Sequence, residues 1–238
     1  MCPPRSAPRF AALIPVKPAS VAKSRLAPLG DRVRADLATA LALDTTAAAL
    51  ACAAVSRVLV ITDDAALGVR LSGLGAHAIP DATTDDLNVT LVQAAVEARR
   101  RWPGLGLLAL CADLPALRPD ELQAVLDGSV PGCTATDAGE DAPGPAAGTV
   151  EGARFVADAA GTGTTAFIAE DVAAFEPRFG PDSRCRHRDA GAEEILDGPG
   201  RGCLQGLRHD VDTPEDLATA RHLGVGSATN AVLARHRL

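Results

Sequence analysis

Two lysines, Lys17 and Lys23, lie in one short stretch near the start of the chain, and they are the only lysines among its 23 basic residues. Arg25 follows closely, so three cations gather just after the first apolar segment. Concentrated positive charge of this kind suits a polyanion, and a nucleoside triphosphate is the first candidate. The stretch lacks the glycine-rich pattern of a P-loop, which excludes that class of phosphate site. A solvated surface loop is the alternative for the same residues.

Three aspartates occupy positions that suit a divalent cation. Asp113 ends a buried apolar segment and precedes a proline turn. A single carboxylate there can bind Mg²⁺, which takes one or two carboxylates plus water and phosphate oxygens; capping of the turn is an equal alternative. Asp210 and Asp212 would face the same side of a strand, and a cation would relieve their repulsion. The alternative is that Asp212 or Thr213 caps the next helix.

Two turns rich in glycine and hydroxyl residues, 161–165 and 180–184, could hold a small phosphorylated acid. Glycines let backbone amides converge on an anion, and the Thr and Ser hydroxyls add donors. The second turn leads into an arginine-rich run that could clamp a carboxylate or phosphate, although a solvated face is the commoner meaning; the run contains Arg184, Arg186 and Arg188. Asn88, at the start of a predicted helix, either caps that helix or binds a base or ribose.

Composition argues against several classes of protein. The formal net charge of −7 leaves no basic face for nucleic acid. The six cysteines form no C-x-x-C pair, so reduced thiols are expected rather than a zinc site or a disulfide framework. Because neither an export signal nor a membrane-spanning run is apparent, we expect a cytoplasmic protein with no membrane partner. No serine-nucleophile motif supports a hydrolase.

Short apolar runs alternate with amphipathic stretches in the first half, which predicts parallel strands joined by crossover helices. The predicted strands are 10–16, 58–62, 76–80 and 105–111, and the predicted helices are 31–53, 65–74 and 87–101. This is a doubly wound α/β pattern, with a mostly parallel central sheet and helices on both faces. Ligands in such sheets bind beyond the carboxyl ends of the strands. The loop that contains Lys17, Lys23 and Arg25, called here the lysine-rich loop, leaves the first strand at that edge.

The alternation of apolar runs and amphipathic stretches ends after residue 128. We expect a small antiparallel or loop-rich second half that forms a lid over the first half. A short strand is predicted at 206–212, followed by a helix at 214–223 with Thr213 at its cap and Pro214 at its first position. The segment 224–238 is expected to be loosely attached. The predicted organisation is one domain at 9–224 with flexible termini at 1–8 and 225–238.

Taken in order, these motifs resemble the phosphoenolpyruvate or 2-phospho-L-lactate guanylyltransferases of coenzyme F420 biosynthesis. The resemblance runs from residue 14 to about residue 221, and its specificity lies in the order of the motifs. They are Pro15-Val16-Lys17, Ala22-Lys23-Ser24-Arg25-Leu26, Leu87-Asn88, Ala112-Asp113-Leu114-Pro115, Gly161-Thr162-Gly163-Thr164-Thr165, Phe179-Gly180-Pro181-x-Ser183 and Asp210-Val211-Asp212-Thr213-Pro214-x-Asp216-Leu217. The resemblance implies a single-domain Rossmann-like nucleotidyltransferase fold. At 138–152 the chain departs from the pattern, because its Gly/Pro-rich segment is longer.

The resemblance also implies roles for particular residues. It implies a GTP site formed by Pro15, Val16, Lys17, Lys23, Asn88 and Asp113. It implies Mg²⁺ held by Asp113, Asp210 and Asp212, and an acceptor bound near Thr165, Gly180 and Ser183. Lys17, Lys23 and Arg25 are the implied catalytic cations, which offset charge on the phosphates. The next enzyme of the pathway is a further candidate partner, and the oligomeric state is left open.

The expected reaction transfers GMP from GTP to phosphoenolpyruvate, or to 2-phospho-L-lactate, and releases pyrophosphate. Phosphoenolpyruvate is favoured because the motifs resemble the actinobacterial branch of the family more than the archaeal one. A nucleotidyltransferase acting on a sugar phosphate or molybdopterin is one alternative, and a non-catalytic GTP-binding protein is another. Measuring turnover with each acceptor distinguishes the sugar-phosphate or molybdopterin enzyme from the expected one. GTP binding without consumption would identify the non-catalytic protein.

Overall fold

The computed structural model describes residues 9–17, 23–82, 86–130, 152–197 and 203–238. Within these ranges seven strands form one sheet in the order β3-β2-β1-β4-β6-β5-β7. They are β1 (Phe10–Pro15), β2 (Val55–Ile61), β3 (His77–Ile79), β4 (Gly106–Leu110), β5 (Ala153–Ala157), β6 (Thr164–Ala169) and β7 (Glu193–Glu194). The pairs formed by β1 to β4 are parallel, whereas β6 runs antiparallel to both β4 and β5.

Helices cover both faces of this sheet. They are α1 (Asp31–Ala51), α2 (Ala65–Gly73), α3 (Leu87–Arg101), α4 (Pro119–Asp127), α5 (Ser183–Asp189), α6 (Gln205–Arg208), α7 (Pro214–Leu223) and α8 (Ser227–His236), with short 3₁₀ helices at Ser24–Leu29 and Val172–Ala174. Along β1, Ala12 and Ile14 face a core shared with α1, α2 and α4, while Ala11 and Leu13 face a second core shared with α3. Successive residues of a strand point to opposite faces, so a strand covered on both sides must be apolar throughout. The predicted α/β fold class is confirmed.

The predicted strands and helices of the first half match β1 to β4 and α1 to α3 to within three residues at every end, and α7 matches its predicted bounds. Thr213 caps α7 as expected: its hydroxyl accepts a hydrogen bond from the Asp216 N–H at 3.2 Å, and the Asp216 carboxylate accepts from the Thr213 N–H at 2.8 Å. The antiparallel strands β5 and β6 differ from the expected lid, because they extend the same sheet beyond β4. The segment 138–151, where the chain departs from the family pattern, lies outside the described residues.

The strand predicted at 206–212 is wrong. This part of the chain forms α6 and then a stretch without regular structure that leads to α7. Gly206 explains the difference, because its backbone packs so closely on the carbonyl of Ala116 that a Cβ there would overlap it. The buried Glu121 carboxylate also accepts a hydrogen bond from the Gly206 N–H at 3.0 Å. These contacts come from distant parts of the chain, and they override the local strand pattern.

The C-terminal segment also differs from the expected loose attachment. Residues 227–236 form α8, whose Val232 and Leu233 are buried in a core shared with α1. No side chain at the start of α8 caps its backbone. Instead the buried carboxylate of Asp44, on α1, accepts hydrogen bonds from the N–H groups of Ala228 at 2.9 Å and Thr229 at 2.8 Å. The first turn of α8 is therefore anchored to α1.

Replacing Asp44 with alanine is expected to destabilise the protein by about 1–3 kcal/mol, because two N–H groups of α8 lose their partner. Urea unfolding followed by circular dichroism measures the loss. Asp31→Ala, an exposed acid on the same helix, is the matched control and is expected to cost less than about 1 kcal/mol. Equal losses in the two variants would show that the carboxylate does not anchor α8.

None of the described helices is long and apolar enough to cross a membrane. The described cysteines, Cys52, Cys111, Cys185 and Cys203, are all free thiols, which matches the expectation for that part of the chain.

Candidate active site

The lysine-rich loop and Asp113 leave the sheet at the same edge. Strands β1 and β4 are parallel neighbours, and Leu13 pairs with Ala109. Lys17 and Asp113 each lie four residues beyond that pair, so both follow the carboxyl ends of adjacent strands. The Val16 N–H donates to the carbonyl of Ile61 at 2.8 Å, which continues the sheet almost to Lys17. This edge is where open α/β sheets bind their ligands.

Two backbone hydrogen bonds hold Asp113 and bring the distant acids to it. The N–H of Leu114 donates to the buried hydroxyl of Thr45 at 2.9 Å, which fixes the turn after β4 on α1. The Val211 N–H donates to the carbonyl of Asp113 at 3.0 Å. Because Val211 lies between Asp210 and Asp212, this bond places both of their side chains beside Asp113.

Asp113, Asp210 and Asp212 form an acidic cluster, and each offers a carboxylate oxygen within 4.8 Å of the others. Burial, together with the neighbouring charges of Asp113 and Asp212, raises the pKa of Asp210 to about 7. The buried Oδ1 atom of Asp113 has no hydrogen-bond partner among the described residues. Three carboxylates crowded together, one of them with an unpartnered buried oxygen, fit a hard divalent cation, which would neutralise their repulsion. The cluster assembles as expected, although its last two members do not lie on a strand.

Lys23 inserts its ammonium group into this cluster. Its Nζ donates to Oδ2 of Asp113 and to Oδ1 of Asp212, the latter at 2.7 Å. Burial alone would lower the pKa of Lys23, but the two carboxylates outweigh that effect and raise it well above its usual range. The backbone of Lys23 is left-handed, with φ of 57°, a conformation that costs a non-glycine residue about 1–2 kcal/mol. The described contacts of the two carboxylates are with Lys23 and Arg25, so Asp113 does not cap the turn that follows it and Asp212 does not cap α7.

The other two cations lie nearer to solvent. Arg25 places its Nη1 atom 3.5 Å from Oδ2 of Asp212, and 74% of its side chain is exposed. Lys17 is exposed at the sheet edge. Pro15 is half-buried and Val16 is buried beneath them. Arg25 therefore adds an exposed positive charge beside the ammonium of Lys23, and Lys17 adds another where the chain leaves β1. Positive charges at this edge suit a ligand that carries several phosphates. Residues 18–22 of this loop lie outside the described residues.

Thr165, predicted to bind the acceptor, lies at the same edge of the sheet. The Cys111 N–H donates to the carbonyl of Thr165 at 2.9 Å, so Thr165 sits opposite a residue only two positions before Asp113. Its side chain is buried, with the hydroxyl 3.5 Å from the carbonyl of Val156. Because β6 is antiparallel to β4, the start of β6 meets the end of β4. This topology brings a second-half residue to the edge of the sheet where β4 leads into Asp113.

Gly180 and Ser183, also predicted to bind the acceptor, form one tight turn. The Ser183 N–H donates to the carbonyl of Gly180 at 3.1 Å, and Ser183 begins α5 with its side chain buried. Gly180 has φ of 114°, and a Cβ there would lie 3.0 Å from the guanidinium of Arg186, so the position requires glycine. The Arg184 N–H donates to the carbonyl of Thr162 at 3.2 Å, which joins this turn to the first glycine-rich turn.

The arginine-rich run is not simply a solvated face. Arg184 donates from Nε to Glu194 at 3.0 Å and from Nη1 to the carbonyl of Gly161 at 3.1 Å. Arg186 donates to the carbonyl of Phe179 at 2.6 Å. Two of the three arginines therefore stabilise the turns beside them, while Arg188 remains exposed.

Asn88 has a different environment from both of the alternatives considered above. Helix α3 is capped by Asp86, whose carboxylate accepts from the N–H groups of Asn88 and Val89. The Asn88 side chain instead accepts from the Phe179 N–H at 2.7 Å and donates to the Phe179 carbonyl at 3.1 Å. The prediction that Asn88 binds the nucleotide stays a prediction, and its described contacts are all with protein.

The sequence pattern gave no indication of His187, which is fully buried behind the second glycine-rich turn. Its ring stacks on Phe167, and it lies against Phe155 and Phe179. The Arg178 N–H donates to Nε2 at 2.8 Å, so Nε2 is the acceptor and the proton sits on Nδ1, 3.0 Å from the hydroxyl of Thr164. Burial lowers the pKa of His187 to about 4, and nearby Arg186 and Arg178 contribute to the decrease. The ring is thus held neutral.

His187 is expected to make the protein less stable as the pH falls from about 6.5 to about 4. The unfolded chain takes up a proton near pH 6.5 and the folded chain does not, so the loss is on the order of 3 kcal/mol. Urea unfolding of wild type and His187→Gln across this range measures it: the advantage of wild type over the variant should shrink as the pH falls. His222→Gln, on the exposed surface of α7, is the control. A constant advantage would contradict a neutral buried ring.

Comparison with known proteins agrees with this geometry. The profile of the family described as "Guanylyl transferase CofC like" matches residues 10–132. A phosphoenolpyruvate guanylyltransferase from Thermomonospora curvata is 44% identical over 94% of this chain and 88% of its own length. One from Streptomyces coelicolor is 44% identical over 94% of this chain and 95% of its own length.

Among solved structures, a protein described as a nucleotide-diphospho-sugar transferase, from Desulfovibrio desulfuricans G20, superposes with a TM-score of 0.64. The superposition covers 96% of this chain and 95% of the other, at 17% identity, and so supports the fold alone. The sequence relatives carry more weight, because they are 44% identical over 94% of this chain. The chain belongs to the CofC-like guanylyl transferase family, as its ordered motifs predict.

Proposed function

We propose that the protein is a guanylyltransferase that transfers GMP from GTP to phosphoenolpyruvate, or to 2-phospho-L-lactate, with release of pyrophosphate. Identity of 44% over 94% of the chain with a phosphoenolpyruvate guanylyltransferase supports this most directly, and the acidic cluster at the sheet edge is consistent with it. A cytoplasmic location and contact with the next enzyme of coenzyme F420 biosynthesis are parts of the same proposal.

In the proposed reaction a phosphate oxygen of the acceptor attacks the α-phosphorus of GTP. A new P–O bond forms as the bond to the β-phosphate oxygen breaks, and that oxygen leaves with the electron pair as pyrophosphate. The product joins the acid to guanosine through a diphosphate. An ionised phosphate is already nucleophilic at neutral pH, so the reaction needs no general base and depends on positioning and charge neutralisation.

The charged residues at the sheet edge have distinct proposed roles. Lys17 and Arg25, which are exposed, approach the nucleotide phosphates, and Lys23 links those phosphates to the acids. Asp113, Asp210 and Asp212 would hold a divalent cation, proposed to be Mg²⁺, which supplies positive charge to the phosphate oxygens when it is bound. Without such neutralisation, the phosphates of two anionic substrates would repel each other and the acidic cluster.

The remaining predicted residues divide between the two substrates. Pro15 and Val16 lie at the end of β1, where backbone groups can contact the nucleotide. Thr165, Gly180 and Ser183 are the proposed acceptor residues. They combine hydroxyl groups with a glycine turn whose backbone can approach an anion closely.

Pyrophosphate release tests the proposal directly. Purified protein is incubated with MgCl₂, GTP and one acceptor at a time: phosphoenolpyruvate, 2-phospho-L-lactate, or glucose 1-phosphate as a sugar-phosphate control. ATP and CTP replace GTP in parallel reactions. We expect turnover with GTP and a three-carbon phosphorylated acid, with phosphoenolpyruvate the better acceptor. Turnover only with the sugar phosphate, or GTP binding without pyrophosphate release, would refute the assignment.

A further inference from the structure

The carboxamide of Asn88 hydrogen-bonds both backbone groups of a single distant residue, Phe179. Its oxygen accepts from the Phe179 N–H at 2.7 Å, and its nitrogen donates to the Phe179 carbonyl at 3.1 Å. The two residues are 91 positions apart, and Phe179 is buried. A paired contact of this kind resembles the exchange of hydrogen bonds between antiparallel strands, and it fixes the orientation of the peptide as well as its position.

The same short segment is held from a second side by α5. Arg186 donates to the Phe179 carbonyl at 2.6 Å, and the Arg178 N–H donates to the neutral ring of His187 at 2.8 Å. Side chains from α3 and α5 therefore satisfy the backbone of two consecutive residues. The next residue is Gly180, so these contacts set where the proposed acceptor turn begins.

We propose that Asn88 is a positioning residue for the acceptor, acting through the backbone of Phe179 on the turn from Gly180 to Ser183, rather than a ligand of the nucleotide. This inference rests on the proposed function. Gly180 passes any movement of Phe179 directly to Ser183, because the Ser183 N–H is bonded to the Gly180 carbonyl. A displacement of about 1 Å in a substrate-positioning group can cost up to about 100-fold in rate.

The carboxamide is the group that this position requires. Phe179 presents one donor and one acceptor, and an asparagine side chain offers the complementary pair at the same length. A carboxylate at this position could still accept from the N–H, but its second oxygen would face the Phe179 carbonyl and repel it. A leucine of similar size would leave both backbone groups without a side-chain partner.

The test compares Asn88→Asp with Gln93→Glu, which makes the same change of charge at an exposed amide on the same helix. Steady-state kinetics give KM for GTP and for phosphoenolpyruvate separately, and hydrogen exchange reports on the amides of residues 176–190. In Asn88→Asp we expect KM for phosphoenolpyruvate to rise by about 10- to 100-fold, KM for GTP to change by less than about 3-fold, and exchange at 178–183 to accelerate. Asn88→Leu should behave similarly, and Gln93→Glu should match wild type.

The outcomes separate this inference from the proposed function. A rise in KM for GTP with that for phosphoenolpyruvate unchanged would make Asn88 a nucleotide ligand and overturn the inference. Faster exchange with both KM values unchanged would also overturn it, because the turn would then move without consequence for the acceptor. If wild type turns over neither acid, the proposed function fails. Exchange still decides whether Asn88 holds the turn, and unchanged exchange at 178–183 in Asn88→Asp would refute that role.

Discussion

Asp113→Asn is expected to lower kcat for guanylyl transfer by about 10³-fold while leaving the fold intact, a loss typical of removing one preorganised charged group from a reaction centre. The substitution removes the charge that Lys23 contacts, and it replaces one of the two carboxylate oxygens with an amide nitrogen that cannot bind a cation. The fold should survive because Asp113 is held by its backbone carbonyl, through Val211, and asparagine has the same size.

The measurement pairs turnover with binding of Mn²⁺, followed by electron paramagnetic resonance in the absence of nucleotide. Asp120→Asn on α4, whose side chain is 72% exposed, removes one negative charge elsewhere and should retain both properties. Asp113→Asn should bind Mn²⁺ about 10-fold or more weakly, because one of three carboxylates loses its charge. Full turnover in Asp113→Asn would show that this carboxylate has no role in the reaction. Unchanged Mn²⁺ binding would show that it is not a ligand of the cation.

The arrangement of the acids could be predicted from sequence because it depends on a general property of parallel sheets. The lysine-rich loop and Asp113 follow two apolar strands, and the carboxyl ends of such strands meet at one edge. For Asp210 and Asp212 the expected proximity is correct but the expected strand is wrong. One backbone bond from Val211 to Asp113 replaces the ladder that a strand would have made. The i, i+2 spacing still lets both carboxylates reach the cluster.

The parts that could not be predicted depend on contacts between distant residues. Asn88 meets Phe179 across 91 positions, and Asp44 meets the start of α8 across 184. Each is a polar side chain that hydrogen-bonds the backbone of a distant residue, so neither leaves a periodic pattern in its own segment. His187 lies in an arginine-rich run that predicts an exposed helix, yet its ring is buried against phenylalanines from β5 and β6. Burial of such a ring is decided by tertiary packing and not by local composition.

Lys23→Met is expected to change activity and cation binding in opposite directions. Turnover should fall by about 10²- to 10³-fold, because the ammonium no longer offsets phosphate charge. In the wild type, Lys23 pairs with both Asp113 and Asp212 and competes with any cation for them. Without that competition, the variant should bind Mn²⁺ about 10-fold more tightly in the absence of nucleotide. Methionine keeps the unbranched apolar stem of lysine and lacks only the terminal ammonium, so the change is mainly one of charge.

Lys17→Met is the matched control for this pair of effects. Lys17 is the other lysine of the chain, is exposed, and forms no ion pair with the residues that the structure describes. If both lysines act on the nucleotide, both variants should lose turnover, but only Lys23→Met should bind Mn²⁺ more tightly. Weaker Mn²⁺ binding in Lys23→Met would mean that the ammonium organises the acids for the cation instead of competing with it. Equal Mn²⁺ affinities in wild type and both variants would mean that the contacts of Lys23 with the two aspartates do not influence the cation site.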